Sequence, residues 1–361
     1  MEWMSDIMIE PKEHLKNIYR TPPDNFDRTE FARMDKNENI DDLPQEYIKE
    51  VLSGINSDFI STYPQLYPLY EKLSQKLDVG IENLLITAGS DAAIKNIYEV
   101  FIEKGDEIVL PDPTYAMYYV YADLFQAKLI KVTYDSNLEL PVEDLLNSIN
   151  AKTKLVVLAN PNSPTGTVVS RSDILRIVEK AQENNSLVLI DEAYYPYYSE
   201  TSLDLIEKYD NVILTRTFSK AYGLASMRIG YAVSNEKIIK SLSTFRPIYE
   251  ATGISALFAL KLLDEDDFIR DRVFDVTKGR EFIMSEMSQL GLKTYVSYAN
   301  FIHIFVGEEN VKPITDYLLE NKILVKSGFK HETLKNCIRI SIGSINILQS
   351  FVITLRKYYG R

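Results

Sequence analysis

The sequence predicts an α/β protein whose main sheet is mostly parallel and flanked by helices, followed by a smaller α+β unit. Three observations carry this. Between Asn83 and Val233 short β-branched runs alternate with helical segments, the signature of right-handed crossovers between parallel strands. At 361 residues and 45% hydrophobic content, the chain can bury a large core and suffices for about two domains. Beyond Ser255 the pattern turns to long helices with a few strand runs. We therefore expect an N-terminal arm over 1–40, a large domain over 41–250 and a small domain over 251–361.

Each element follows in chain order. Residues 1–40 show little periodicity and carry Pro22-Pro23 and a polar NFDRTE stretch before MDKNEN, so they read as an arm lying on something else, with a second subunit as one partner. From Pro44 the pattern is helical, and STYPQLYPLY interrupts it with two prolines and three tyrosines. That stretch reads as a structured loop. A strand, Asn83 to Thr87, then runs into Gly89-Ser90-Asp91. Ile94, Ile97, Tyr98 and Phe101 recur at helical spacing and Gly105 stops the run, which puts Gly89-Ser90-Asp91 at a helix N-terminus. Free N–H groups and the helix dipole make an anion site there, although Ser90 or Asp91 acting only as a cap fits equally.

Further strands are expected at Glu107–Leu110, Lys128–Thr133, Leu155–Ala159, Leu187–Ile190, Val212–Phe218 and Ile229–Val233, with helices between most of them. Ligands of such sheets bind at the carboxyl ends of the strands. Four segments fall there: Gly89-Ser90-Asp91, Asn160 to Gly166, Asp191 to Tyr195, and Ser219-Lys220. Lys220 ends a strand, and Arg228 opens the next run, which returns its guanidinium to the same edge. An amine beside fixed positive charge loses its proton more readily and becomes a nucleophile toward carbonyls. Asp191 comes after four apolar residues and needs a partner, either a protonated heterocycle with Tyr194 reaching a neighbouring ring oxygen, or an arginine, unless it only caps the next segment. Tyr115 is a core aromatic or a face for a flat ligand.

Composition excludes several classes. The net charge of −12 comes from 52 acidic and 40 basic residues without a basic stripe, so no nucleic-acid partner is expected. No apolar run approaches the ~18 residues of a membrane span, and the first residues lack a secretory pattern. The single cysteine, Cys337, fits a reducing cytoplasm. Three histidines offer no metal cluster, HETLK at His331 lacks the second histidine of a zinc helix, and His303 in an alternating strand reads as structural. Neither a Walker loop nor G-x-G-x-x-G occurs, so a non-enzymatic nucleotide-binding module has no motif of its own.

Taken together, GSD, PTY, NPNSPTGT, DEAYY and TFSKAYGLASMRIGY, in this order, resemble the fold-type I aminotransferases that use pyridoxal phosphate (PLP), and are most similar to the histidinol-phosphate aminotransferase group. The resemblance runs from Asn37 to the RISIG segment at Arg339. It implies that Lys220 bonds the cofactor, Asp191 meets its pyridinium nitrogen, Tyr194 donates to the ring oxygen and Tyr115 stacks on the ring. Gly89, Ser90, Ser219 and Arg228 are implied to hold its phosphate, with Tyr63 reaching in from the second subunit of a homodimer, and Asp91 is a further implied cofactor-binding residue. Arg339 is implied to hold the substrate's acidic group.

The chain departs from the family in three places. Ser163 stands where the family has asparagine before Pro-Thr-Gly, so either Ser163 or the preceding Asn162 is expected at the ring oxygen. Lys326, in ILVKSG, replaces an arginine near the substrate phosphate, which keeps the charge but loses the bidentate fork. Ile40-Asp41-Asp42 replaces the usual proline and glycine after NEN. The resemblance implies transfer of an amino group, with glutamate as donor and a small phosphorylated carbonyl compound such as imidazole acetol phosphate as acceptor. A decarboxylase of a phosphorylated amino acid on the same scaffold shares every cofactor residue and stays open at this level.

Overall fold

The computed structural model describes residues 12–16, 18, 22 and 24–360. Eleven strands are present among them: β1 (Ala32–Met34), β2 (Leu84–Thr87), β3 (Glu107–Asp112), β4 (Lys128–Thr133), β5 (Thr153–Ala159), β6 (Leu187–Asp191), β7 (Val212–Thr217), β8 (Gly230–Ser234), β9 (Phe301–Phe305), β10 (Ile323–Val325) and β11 (Cys337–Ser341). A seven-stranded sheet runs in the order β2-β8-β7-β6-β5-β3-β4. Neighbours are parallel except at β8, which is antiparallel to both β2 and β7. The sequence shows why. The runs LVVLA and LVLI are apolar without alternation, and both faces of β5 and β6 are buried under helices. At the edge, β4 alternates lysines with apolar residues and is partly exposed.

The reversal of β8 positions the site. Gly230 opens β8 and pairs with both Thr87 at the end of β2 and Thr217 at the end of β7. A side chain at Gly230 would lie 2.5 Å from the Ser90 nitrogen and 2.7 Å from the Arg216 carbonyl, so only glycine allows these three elements to meet. Consequently Arg228, Ser219 and Ser90 arrive at one edge.

The small domain pairs β9 with β11 antiparallel, joined to Lys326 by an isolated bridge with Arg339, and packs on the helices Asp266–Gln289, Glu308–Glu320 and Ile345–Tyr358. Two expected boundaries move. Helix Gly253–Leu262 and residues as far as Ile269 pack in the core under the large sheet, so the large domain extends beyond residue 250 because that helix buries Ala256, Phe258, Ala259 and Leu262 there. At the other end, β1 pairs in parallel with β10, and Met34 and Ile40 are buried in the small-domain core. The strand of the arm therefore packs on its own small domain, Lys36 and Asn37 reach Lys220 and Tyr194, and Glu13–Leu15 lie against helix Ala116–Phe125, while residues 1–11 lie outside the described residues. Only 301–305 of the expected strand stretch around TYVSYANFIHIFV forms a full strand.

Candidate active site

The carboxyl ends of β2, β5, β6 and β7 surround one cavity, whose walls include Ser90, Tyr115, Ser163, Asp191, Tyr194, Ser219, Lys220 and Arg228. Asp191 closes β6 and is buried, since parallel neighbours flank it on both sides. Tyr118, on helix Ala116–Phe125, donates to Oδ2 at 2.7 Å, and Thr215 on β7 donates to Oδ1 at 3.0 Å. Burial nevertheless pushes the carboxyl up to about 6, and these donors only partly offset it. A buried carboxylate with neutral donors alone calls for a cationic partner.

Lys220 lies just beyond β7, with Nζ donating to the Lys36 carbonyl at 3.1 Å and lying 5.8 Å from the Tyr194 ring. Burial, reinforced by the positive charges of Arg339 and Arg228, lowers its amine to about 8. Tyr194 is buried; its hydroxyl accepts from Asn37 Nδ2 at 2.8 Å, and Ser163 lines the cavity beside it. Tyr115 places its ring edge-on to Tyr118, with centroids 5.5 Å apart, and its hydroxyl 3.5 Å from Asp91.

An anion cradle occupies the neighbouring corner. Gly89 has φ +86°, which turns the chain into helix Ser90–Phe101, and a Cβ there would meet Arg228 Nη2 at 2.9 Å. Arg228 adopts the left-handed region, φ 50°, and donates from Nη1 to Ser219 Oγ at 3.3 Å. A helix N-terminus, a hydroxyl and a guanidinium thus converge on one point.

The small domain brings a further cation close enough to act on Lys220 and Tyr194. Arg339 is buried, donates to the Asp35 carbonyl at 2.9 Å, and holds its guanidinium 5.0 Å from the Phe301 ring and 5.6 Å from that of Phe329. Its Nε is buried without a hydrogen-bond partner. Arg339 pairs with His303 on one side and Lys326 on the other, so the three share a face of the small sheet.

Three expected site residues lie apart from this cavity. Asn162 ties its loop to the turn after β3, accepting from Thr114 and donating to the Pro113 carbonyl and to Thr165, so Ser163 rather than Asn162 lines the cavity. Tyr63 is 73% exposed and stacks on Tyr249, outside the cavity of its own chain. Lys326 is exposed and does not line the cavity. The segment Asp35–Asn37 contributes without having been expected to, although NEN is a visible motif: it touches Arg339, Lys220 and Tyr194. Tyr118 and Thr215 escape sequence reasoning because a tyrosine in a helix and a threonine in a strand carry no local signal.

The family model for aminotransferase class I and II matches residues 33–352. The chain belongs to this family. Among its relatives, a histidinol-phosphate aminotransferase of Thermoanaerobacter pseudethanolicus is 38% identical, with 86% of this chain and 88% of that one covered. Another, of Methanocaldococcus jannaschii, is 34% identical, covering 96% and 92% respectively. The same fold is seen in a crystal structure of histidinol-phosphate aminotransferase from Sinorhizobium meliloti in complex with pyridoxal-5'-phosphate, at TM-score 0.86 and 24% identity, covering 99% of this chain and 98% of that one.

PLP is the cofactor of this class of aminotransferases, and the residues present fit it. Asp191 lacks a cation, which a protonated ring nitrogen supplies. The cradle of Gly89, Ser90, Ser219 and Arg228 has the charge and N–H donors a phosphate needs. Lys220 has an amine shifted toward its neutral form.

Proposed function

We propose that this aminotransferase moves an amino group from an amino acid, with glutamate the expected donor, to a small phosphorylated carbonyl compound such as imidazole acetol phosphate or a related ester. The observation that carries the substrate reading is Arg339, buried close enough to act on Lys220 and Tyr194, with exposed Lys326 paired to it through the backbone. Arg339 suits a carboxylate and Lys326 a phosphate. The names of the relatives support the same class of acceptor.

Bound PLP supplies an electron-withdrawing ring that accepts the electron pair left at the substrate's α-carbon. The protein does the rest. Asp191 holds a proton on the ring nitrogen, and Tyr194 donates to the neighbouring ring oxygen with Ser163 and Asn37 fixing its hydroxyl. Tyr115 flanks the ring plane, and Gly89, Ser90, Ser219 and Arg228 hold the phosphate, with Asp91 opening the same helix. Lys220 Nζ takes the proton from the α-carbon and returns it elsewhere on the bound pair, since burial and the nearby arginines lower its amine to about 8, so that half of it is neutral at pH 8. Arg339 aligns the substrate carboxylate beside it. The relatives, histidinol-phosphate aminotransferases, favour transfer over loss of carbon dioxide.

We read the molecule as a cytoplasmic homodimer in which Tyr63 reaches the partner's phosphate cradle. Exposed Tyr63, Ile60, Tyr67 and Ile248 support an apolar face around it, and the single cysteine supports a reducing compartment. The substrate reading is tested by half-reactions. The enzyme is converted to its pyridoxamine form with glutamate, then offered imidazole acetol phosphate, dihydroxyacetone phosphate, aromatic 2-oxo acids and the unphosphorylated analogues. Phosphorylated acceptors are expected to restore the starting spectrum faster, and Lys326→Ala to shrink that preference by about tenfold or more, the worth of one hydrogen bond to a charged group. Equal rates with unphosphorylated acceptors contradict the reading.

A further inference from the structure

We infer that His303 is a positioning residue, which fixes the Ser163 hydroxyl on Tyr194 by fastening the loop Asn160–Gly166 of the large domain to the small-domain sheet. The inference rests on the reading of Tyr194 as the donor to the cofactor's ring oxygen. His303 is 1% exposed on β9, and its Nε2 lies 2.6 Å from the Pro164 carbonyl. A carbonyl only accepts, so Nε2 carries the hydrogen, and Nδ1 is left as a lone pair, buried without a partner. The ring stands edge-on to Phe329 at 5.0 Å and to Phe301 at 6.0 Å, the same two rings that flank Arg339. Burial and the charge of Arg339 press the imidazole down to about 3, so it stays neutral and keeps this tautomer through the working pH range.

Pro164 follows Ser163 directly, and Ser163 lines the cavity together with Tyr194, its hydroxyl on the side from which it favours the ionised phenol. The loop is fastened a second time nearby, by the Tyr298 N–H donating to the Gly166 carbonyl at 2.8 Å, while Gly166 at φ +80° lies where a Cβ would strike Ser297. These backbone contacts hold the end of the loop. On the other side of the serine Asn162 ties the loop to Thr114 and Pro113 of the large domain, and the His303 bond is the side-chain contact that comes from the small domain. A serine hydroxyl is shorter than the amide of asparagine, so its reach to Tyr194 depends more on where the loop sits. His303 thereby links the substrate-facing row, which holds Arg339 and Lys326, to the polarity of the phenol. The charged and titratable groups around that phenol are Arg339 from β11, Asp191 from β6, Lys220 beyond β7, and Tyr115 and Tyr197.

The test compares His303→Leu, His303→Gln, Ser163→Ala and Tyr194→Phe in the PLP-loaded protein. Three quantities are read: the pH midpoint of the cofactor's visible absorbance, the PLP dissociation constant and the melting temperature. A hydrogen bond to the ring oxygen favours the deprotonated chromophore, so weakening it raises the midpoint. We expect His303→Leu and Ser163→Ala each to raise it, by up to about one pH unit, with PLP binding weakened up to about tenfold. His303→Gln keeps a donor for the Pro164 carbonyl and is expected to hold the wild-type midpoint. The double variant should shift no further than either single one. A lower melting temperature with an unmoved midpoint for His303→Leu overturns the inference. If that variant does not fold, Ser163→Ala decides: a wild-type midpoint there overturns it as well. An unmoved midpoint for Tyr194→Phe instead overturns the reading of Tyr194, and the inference with it.

Discussion

The two walls of the active site are built by different means. On the large-domain wall, each functional side chain follows the end of its own strand: Ser90 after β2, Ser163 after β5, Asp191 at the end of β6 and Lys220 after β7. On the small-domain wall, Lys326, Arg339 and His303 come from separate segments and meet only through pairing register. The charges differ too. One wall mixes a carboxylate, an amine and an anion cradle, whereas the other presents cations and an arginine Nε that is buried without a partner.

The largest break expected in this comparison is Lys220→Ala. Turnover should fall about 10⁴-fold or more, the scale of lost proton transfer and nucleophile together, while PLP still binds through Arg228 and the Gly89 corner. Borohydride reduction of the wild type, followed by peptide mapping, should put the cofactor on Lys220. Label on another lysine would remove that assignment.

A pH test sharpens the electrostatics of the large-domain wall. The amine of Lys220 is lowered from 10.5 to about 8, so the neutral, reactive form grows as pH rises and is nearly complete above that value. Stopped-flow addition of PLP to apoenzyme should show bond formation accelerating about tenfold per pH unit from pH 6 toward 8, then levelling. Acceleration that continues to pH 10 would mean that Arg339, Arg228 and burial do not act on this amine.

Tyr63 tests whether the large-domain wall is completed by a second chain. Tyr63→Phe is expected to weaken PLP by about 1.5–3 kcal/mol, one hydrogen bond to a charged group. Sedimentation should give a dimer, and an active monomer would contradict the shared site.

The same contrast explains what could be read from the chain alone. The mostly parallel sheet, and Asp191, Ser219, Lys220 and Arg228 at its edge, were legible because a strand followed by a polar motif is a local pattern. The large-domain boundary was not, because helix Gly253–Leu262 is apolar on all sides and its sequence does not say which core it enters. Asn162 and Ser163 were not separable, since only the loop's folded path turns one inward and ties the other to Thr114 and Thr165. His303 read as structural, and its bond to Pro164 spans 139 residues, a distance over which sequence pattern carries no information. Arg339 was placed by resemblance rather than by its own surroundings.

The claim that the two walls hold two different ligands is tested most directly by Arg339→Gln, measured for both. Equilibrium dialysis gives the PLP dissociation constant, and steady-state kinetics give kcat/KM for glutamate. PLP affinity should stay within about twofold of wild type, while kcat/KM for glutamate falls by about tenfold to hundredfold, the value of a charge-assisted bond to its carboxylate. A loss of PLP affinity as large as the loss in kcat/KM would contradict the division between the walls.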